Sequence, residues 1–253
     1  MPVSIERNPT LLDVVDDLAR VTGFSNALTD AAGSTDPAVG QFVAAANYAA
    51  RELLQENVWP HLIREHTITV QAATPGQAVR EYDLPEDFYS LVLQTGNDGT
   101  NQVHAFGPLS PAVWQSIRTL SPLAPGHNLM WRLVGETKIA FLYPPSSPTT
   151  FRFEYLSQAY VQDADDLTLF KNIARKNGDR FLFDETLIKL LARVKWLETK
   201  GFDAGAATAD YQRALQARVR RLDGAQVLSM IGPLHRAWMP WDDVNIPRTG
   251  VGS

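Results

Sequence analysis

Residues 183–223 read FDETLIKLLARVKWLETKGFDAGAATADYQRALQARVRRLD, and the fold turns on reading them as two helices joined by a short connection. Asp184 is a residue type that caps a helix N-terminus, and Glu185 adds negative charge in the first turn, where the helix dipole favours it. Leu187, Leu190, Leu191, Val194 and Leu197 recur at helical spacing. Lys200 falls in the last turn and Gly201 just beyond it, which is a stop signal. A second helix then carries Tyr211, Leu215, Val219 and Leu222 on one face. Two helices with so short a connection lie roughly antiparallel. Leu190, Leu191, Val194 and Leu197 are therefore expected to be buried, against Tyr211, Leu215 and an earlier helix.

That earlier helix is signalled by Asp36-Pro37 and runs to about Asn57, with Phe42, Val43, Ala46, Ala49, Leu53 and Leu54 on its apolar side. A shorter one precedes it. Asn8-Pro9 opens it, with proline in the tolerated first position; Leu11, Leu12, Val15, Leu18 and Val21 form its stripe, and Gly23 ends it. From Glu65 the period changes to two: Thr67, Thr69 and Gln71 alternate with His66, Ile68 and Val70. Further strands are expected at 79–84, 89–95, 102–105, 130–134, 138–142 and 149–156, and a short helix after Ser110-Pro111. Turns are expected at 73–77 and at Asp98-Gly99. Along 149–156, Phe151, Phe153 and Tyr155 share one face, and charges occupy the other. Residues 157–166 read as a polar crossing, and Phe170 to Phe183 as a short helix.

Strands in the middle and helices on both sides imply an α+β fold. The expectation is a helical bundle, made of the N-terminal helices plus the C-terminal helical hairpin, with an inserted, mostly antiparallel β module and an extended C-terminal arm. The boundaries are 1–64 and 158–230 for the helical domain, 65–157 for the β domain and 231–253 for the arm. Pro233, Pro240 and Pro247 exclude a helix from that arm. Its apolar residues, Leu234, Trp238, Met239, Trp241 and Ile246, are unlike those of a free disordered tail, so it is expected to dock on another surface.

The chain has 253 residues, no cysteine and a net charge of −5. That length supports a substantial core without disulfides or metals. Without cysteine there is no thiolate chemistry. No apolar run is long enough to span a membrane, and no secretory signal is expected. The net charge argues against a dedicated nucleic-acid binder. It is unevenly spread: residues 1–58 hold eight acids and three bases, and residues 171–223 hold twelve bases and seven acids. One reading is solvated helix faces; the other is complementarity between subunits or with a partner.

No catalytic pattern stands out. Glycine-rich phosphate loops, His-Glu-x-x-His and Gly-x-Ser-x-Gly are all missing from the sequence. His61, His66, His104, His127 and His235 are scattered, and neither a metal nor a cofactor is expected. Asp16-Asp17, Asp163/Asp165/Asp166 and Asp242-Asp243 fit loops and caps better than a catalytic pair. Arg213, Arg218, Arg220 and Arg221 form a basic cluster that fits an exposed helix face, a neighbour's acids or DNA phosphate. Arg220 and Arg221 are adjacent and cannot share one helix face.

Residues 191–202 (LARVKWLETKGF) and 209–215 (ADYQRAL) resemble the C-terminal helical hairpin of head-to-tail adaptor proteins of short-tailed bacteriophages. Trp59-Pro60-His61-Leu62 is similar to that family's helix-to-strand junction, and Tyr82-Asp83-Leu84-Pro85-Glu86-Asp87-Phe88 to its tyrosine, leucine-proline, acidic, phenylalanine turn. The resemblance implies a structural virion protein, not an enzyme. Such a protein assembles in the host cytoplasm as a dodecameric ring beneath the portal at the head–tail junction. It continues the DNA channel without sequence-specific binding, and it is the platform for the tail nozzle and fibres. The arm's Leu234, Trp238, Met239, Trp241 and Ile246 would bind the portal protein, and the four arginines would face a neighbouring subunit or the channel. The competing expectation from another class is a tail-associated cell-wall hydrolase; a third is an unrelated α+β binding domain.

Overall fold

The structure, a computed structural model, describes residues 8–24, 28–72, 79–119 and 129–222. By its contacts the chain divides into two units, Met1–Ala214 and Leu215–Ser253. In the first unit α1 (Leu11–Val21), α2 (Pro37–Glu56) and α4 (Glu185–Lys200) pack on one another. α3 (Pro111–Thr119) packs separately, with Trp114 buried beside Ala140 and Leu142. α5 (Gly205–Leu222) begins in the first unit, where Ala207 and Tyr211 are buried. Its residues 215–222 are the described part of the second unit.

The local signals of the decisive stretch act as read. The Asp184 carboxylate accepts from the amides of Thr186 (3.0 Å) and Leu187 (3.3 Å). Gly201 closes α4 at φ 73°, a left-handed conformation that glycine adopts without strain. The buried face is turned from the expected one, however. Leu187, Ile188, Leu191, Ala192 and Val194 are buried, while Leu190 and Leu197 are half-buried. At α1 the cap is Thr10, not Asn8-Pro9: Thr10 and Asp13 bond reciprocally, side chain to backbone. Leu191 is 1 % exposed, so Leu191→Ala is expected to cost about 2–5 kcal/mol. An unchanged urea midpoint would place the packed face elsewhere.

Eleven strands among the described residues form three antiparallel sheets. In the first, β8 (Thr149–Ser157) is central. It pairs with β1 (Ile63–Val70) on one side and with β3 (Phe88–Leu91) and β4 (Asn97–Asp98) on the other, and β5 (Val103–His104) follows β4. The second sheet runs β2-β7-β6 (Val79–Asp83, Lys138–Leu142, Met130–Val134). Phe151, Phe153 and Tyr155 do face a core, shared with Trp131, Phe141, Ile139 and Val70 of both sheets. Phe151 lies 5.0 Å from Phe141 and 5.2 Å from Trp131, ring centre to ring centre. The turn expected at 73–77 and the arm from residue 231 lie outside the described residues.

The expected helical bundle with an inserted β module is not the fold. The class is α+β, but strands also occur where only helices and a crossing were expected. The third sheet, β10-β9-β11 (Phe170–Lys171, Val161–Gln162, Arg180–Phe181), occupies the crossing and the supposed helix at 170–183. It is bonded directly to the start of α1. Leu11 N–H donates to Asp179 C=O (2.8 Å), Leu12 N–H to Asn177 C=O and Phe181 N–H to Pro9 C=O. These strands are two residues long, which leaves no period to read in the sequence.

Candidate functional site

The segment 158–183 is held by polar side chains rather than by apolar packing alone. Asp179 is fully buried. Its Oδ1 accepts from Lys171 Nζ (2.7 Å) and the Ala164 amide (3.1 Å), and its Oδ2 from the amides of Arg175 (2.7 Å) and Lys176 (2.8 Å). Burial by itself raises the Asp179 pKa, but these four donors hold it below the ordinary carboxylate value. Asp163 is held well below that value by Lys171, the Asp165 amide and Lys176. Asn177 Oδ1 accepts from the amides of Ala31 (2.9 Å) and Ala32 (2.8 Å), and Asn47 bonds both the N–H and the C=O of Ala174. Four short polar links thus tie this segment to the loop before α2 and to α2, beside its backbone bonds to the start of α1.

The Leu84-Pro85-Glu86-Asp87-Phe88 turn has a similar anchor. Asp87 accepts from Tyr155 Oη (2.8 Å), Ser157 Oγ (2.6 Å) and Arg64 Nη1 (3.1 Å). Burial, then the bond to Asp87, pushes the Tyr155 phenol up to about 12. Arg64 also stacks over the Phe170 ring at 4.8 Å, linking β1 to the third sheet.

The carboxylates considered for hydrolysis have structural partners. Asp16 accepts from the Leu28 amide and pairs with Arg20; Asp163 and Asp165 meet Lys176, and Asp166 closes the turn at Thr168. Asp242 and Asp243 lie outside the described residues. Among the described residues there is no group of three or more His, Asp or Glu arranged to hold a metal, and no helix is long and apolar enough to cross a membrane. His66 sits against Phe153 and Tyr155, and burial lowers its pKa. His104 meets Asn97.

The charge asymmetry is partly settled inside the chain. Lys195 of α4 pairs with Glu52 of α2 at 2.6 Å, and Lys189 approaches Asp17 of α1 at 3.9 Å. Such exposed pairs contribute roughly 0–1 kcal/mol each. On α5, Arg213 is exposed and pairs with Asp210 in the preceding turn, Arg218 is half-buried, and Arg220 and Arg221 are exposed. Leu234, Trp238, Met239, Trp241 and Ile246 lie outside the described residues.

A surface feature went unread in the sequence. A cleft of about 260 Å³ is lined by Arg51, Leu54, Gln55, Tyr89, Gln158, Tyr160 and Asn172. Arg51 and Gln55 come from α2, Tyr89 from β3 and Asn172 from the segment that Asp179 organises. The available signal was Tyr48, Arg51 and Gln55 at positions i, i+3 and i+7 of α2, a polar face with two interface-prone residues.

A search of curated proteins finds no match. A family comparison does: residues 9–237 match the SU10 adaptor protein, from just before α1 through α5 and into the region expected to form the arm. With residues 191–215, the Trp59-Pro60 junction and the Leu-Pro-acidic turn all inside that match, the chain belongs to the SU10 adaptor protein family and is a structural adaptor protein of a phage.

Proposed function

We propose that this adaptor forms a dodecameric ring beneath the portal of a short-tailed phage, continues the DNA channel there and carries the tail nozzle and fibres. The observation that supports this most is the family match over residues 9–237. Membership of a structural family also fits a non-enzyme. The arm, with Leu234, Trp238, Met239, Trp241 and Ile246, anchors each subunit to the portal protein. The exposed arginines of α5, Arg213, Arg220 and Arg221, with Arg218 beside them, meet neighbouring subunits or the channel. A net charge of −5 suits a channel through which DNA slides, since a strongly basic lining would retain phosphates.

The test is a mass measurement on the purified chain, alone and mixed with its portal protein. A monomer that becomes a dodecameric ring on the portal is the expected result. A chain that never joins the portal, at concentrations where both proteins are folded, overturns the reading.

A further inference from the structure

The cleft at Arg51 has the composition of a protein-docking site. At about 260 Å³ it is smaller than the roughly 300–1,000 Å³ of small-molecule pockets, a size suited to side chains. Its polar lining consists of one guanidinium, three carboxamides and two phenols, with no carboxylate. A cation ringed by neutral donors takes a carboxylate. Outside the cleft Tyr48, one turn before Arg51, is 60 % exposed, and Tyr89 at the cleft wall is 41 % exposed. Tyrosine and arginine are the residue types that dominate binding energy at interfaces.

The same chain carries a surface of opposite character. Asp165-Asp166-Leu167-Thr168-Leu169 is exposed throughout, with Leu167 at 61 % and Leu169 at 54 %. This turn is rigid. Asp166 Oδ1 accepts from the Thr168 amide (2.8 Å) and hydroxyl (2.6 Å), Leu169 N–H donates to Asp166 C=O, and Gln162 Nε2 donates to Leu167 C=O (2.8 Å). Below it lies the Asp163–Lys171–Asp179 network. Two leucines and two acids held in place at a turn lose little freedom on binding.

We propose that the Asp165–Leu169 turn of one copy docks on the Arg51 cleft of a second copy, with Asp166 facing Arg51 and the leucines against Tyr48 and Tyr89. Charge sign and apolar character match on the two surfaces, and one chain holds both halves of the contact. This rests on the ring reading only in supplying a contact between its subunits.

Because the chain has no cysteine, single cysteines report this contact cleanly. A full-length Tyr48→Cys chain and a full-length Leu167→Cys chain are mixed with a short bismaleimide, free in solution and bound to portal. Mixed dimers in excess of homodimers are expected on portal, where the subunits assemble. Adding Arg51→Glu to the first chain should lower their yield about tenfold or more, because like charges then meet. A chain carrying both cysteines separates this contact from the ring. A ladder beyond two copies supports both, and products that stop at two support the contact while overturning the ring. Mixed dimers no commoner than homodimers in either setting, or a yield indifferent to Arg51→Glu, overturn the contact and leave portal binding to be judged separately.

Discussion

Asp179→Ala is expected to destabilise the first unit by about 3–5 kcal/mol, the cost of removing one partner from a buried ion pair. The carboxylate is fully buried and serves four donors, so its loss strands three backbone amides and leaves Lys171 with Asp163 alone. Because the same segment holds α1 and α2 through Leu11, Asn47 and Asn177, the loss is expected in the global transition, read as a lower urea midpoint. Asp179→Asn keeps an acceptor but no charge, and should fall between the two. The pH dependence follows from the lowered pKa values of Asp163 and Asp179. Their stabilisation is complete above the unfolded value of about 4 and is lost as pH falls through the folded values. Wild type should therefore lose stability below about pH 4, and Asp179→Asn should flatten that limb. An alanine variant with the wild-type midpoint would show that the network follows from the fold rather than supporting it.

Removing residues 233–253 is expected to leave a folded chain that no longer attaches to portal. An extended segment of 21 residues reaches at most about 70–75 Å, enough to cross from one subunit to another protein. In the proposed attachment Leu234, Trp238, Met239, Trp241 and Ile246 supply the apolar anchors on portal; the alternative is that they fold back on their own subunit. Ordering such a segment costs free energy, and buried aromatic anchors offset it. At about 2 kcal/mol for each tryptophan, Trp238→Ala with Trp241→Ala should weaken portal binding roughly a thousandfold. Far-ultraviolet circular dichroism checks the fold, and co-sedimentation with portal checks attachment. Undiminished attachment of the truncated chain would remove the arm from the mechanism.

Helix ends and strand alternation were legible because their signals are local. Asp184, Gly201 and Asp36-Pro37 act within one helical turn of where they stand, and the caps appear in place. Phe151, Phe153 and Tyr155 are two apart, and a strand has no choice but to put them on one side. The family resemblance was legible for the same reason, since it rested on contiguous motifs. Which apolar stripe of α4 is buried was not decided locally. Leu190 belongs to a valid helical stripe, but α1 and α2 take the side that carries Ile188 and Leu191.

The cleft was hidden further, since Arg51, Tyr89 and Asn172 come together only after α2, β3 and the 158–183 segment are assembled. The third sheet was hidden most. Its strands are two residues long, and polar groups beside them bond partners up to 147 residues away, as Asn177 does with Asp30. The sequence alone determined the ends of α2 and α4, which residues alternate and which family the motifs resemble, because each depends on neighbours within a few positions. Only the tertiary structure decided strand order, the Asp179 network and the surface at Arg51. A buried carboxylate and an exposed one are the same residue until the chain has chosen what surrounds them.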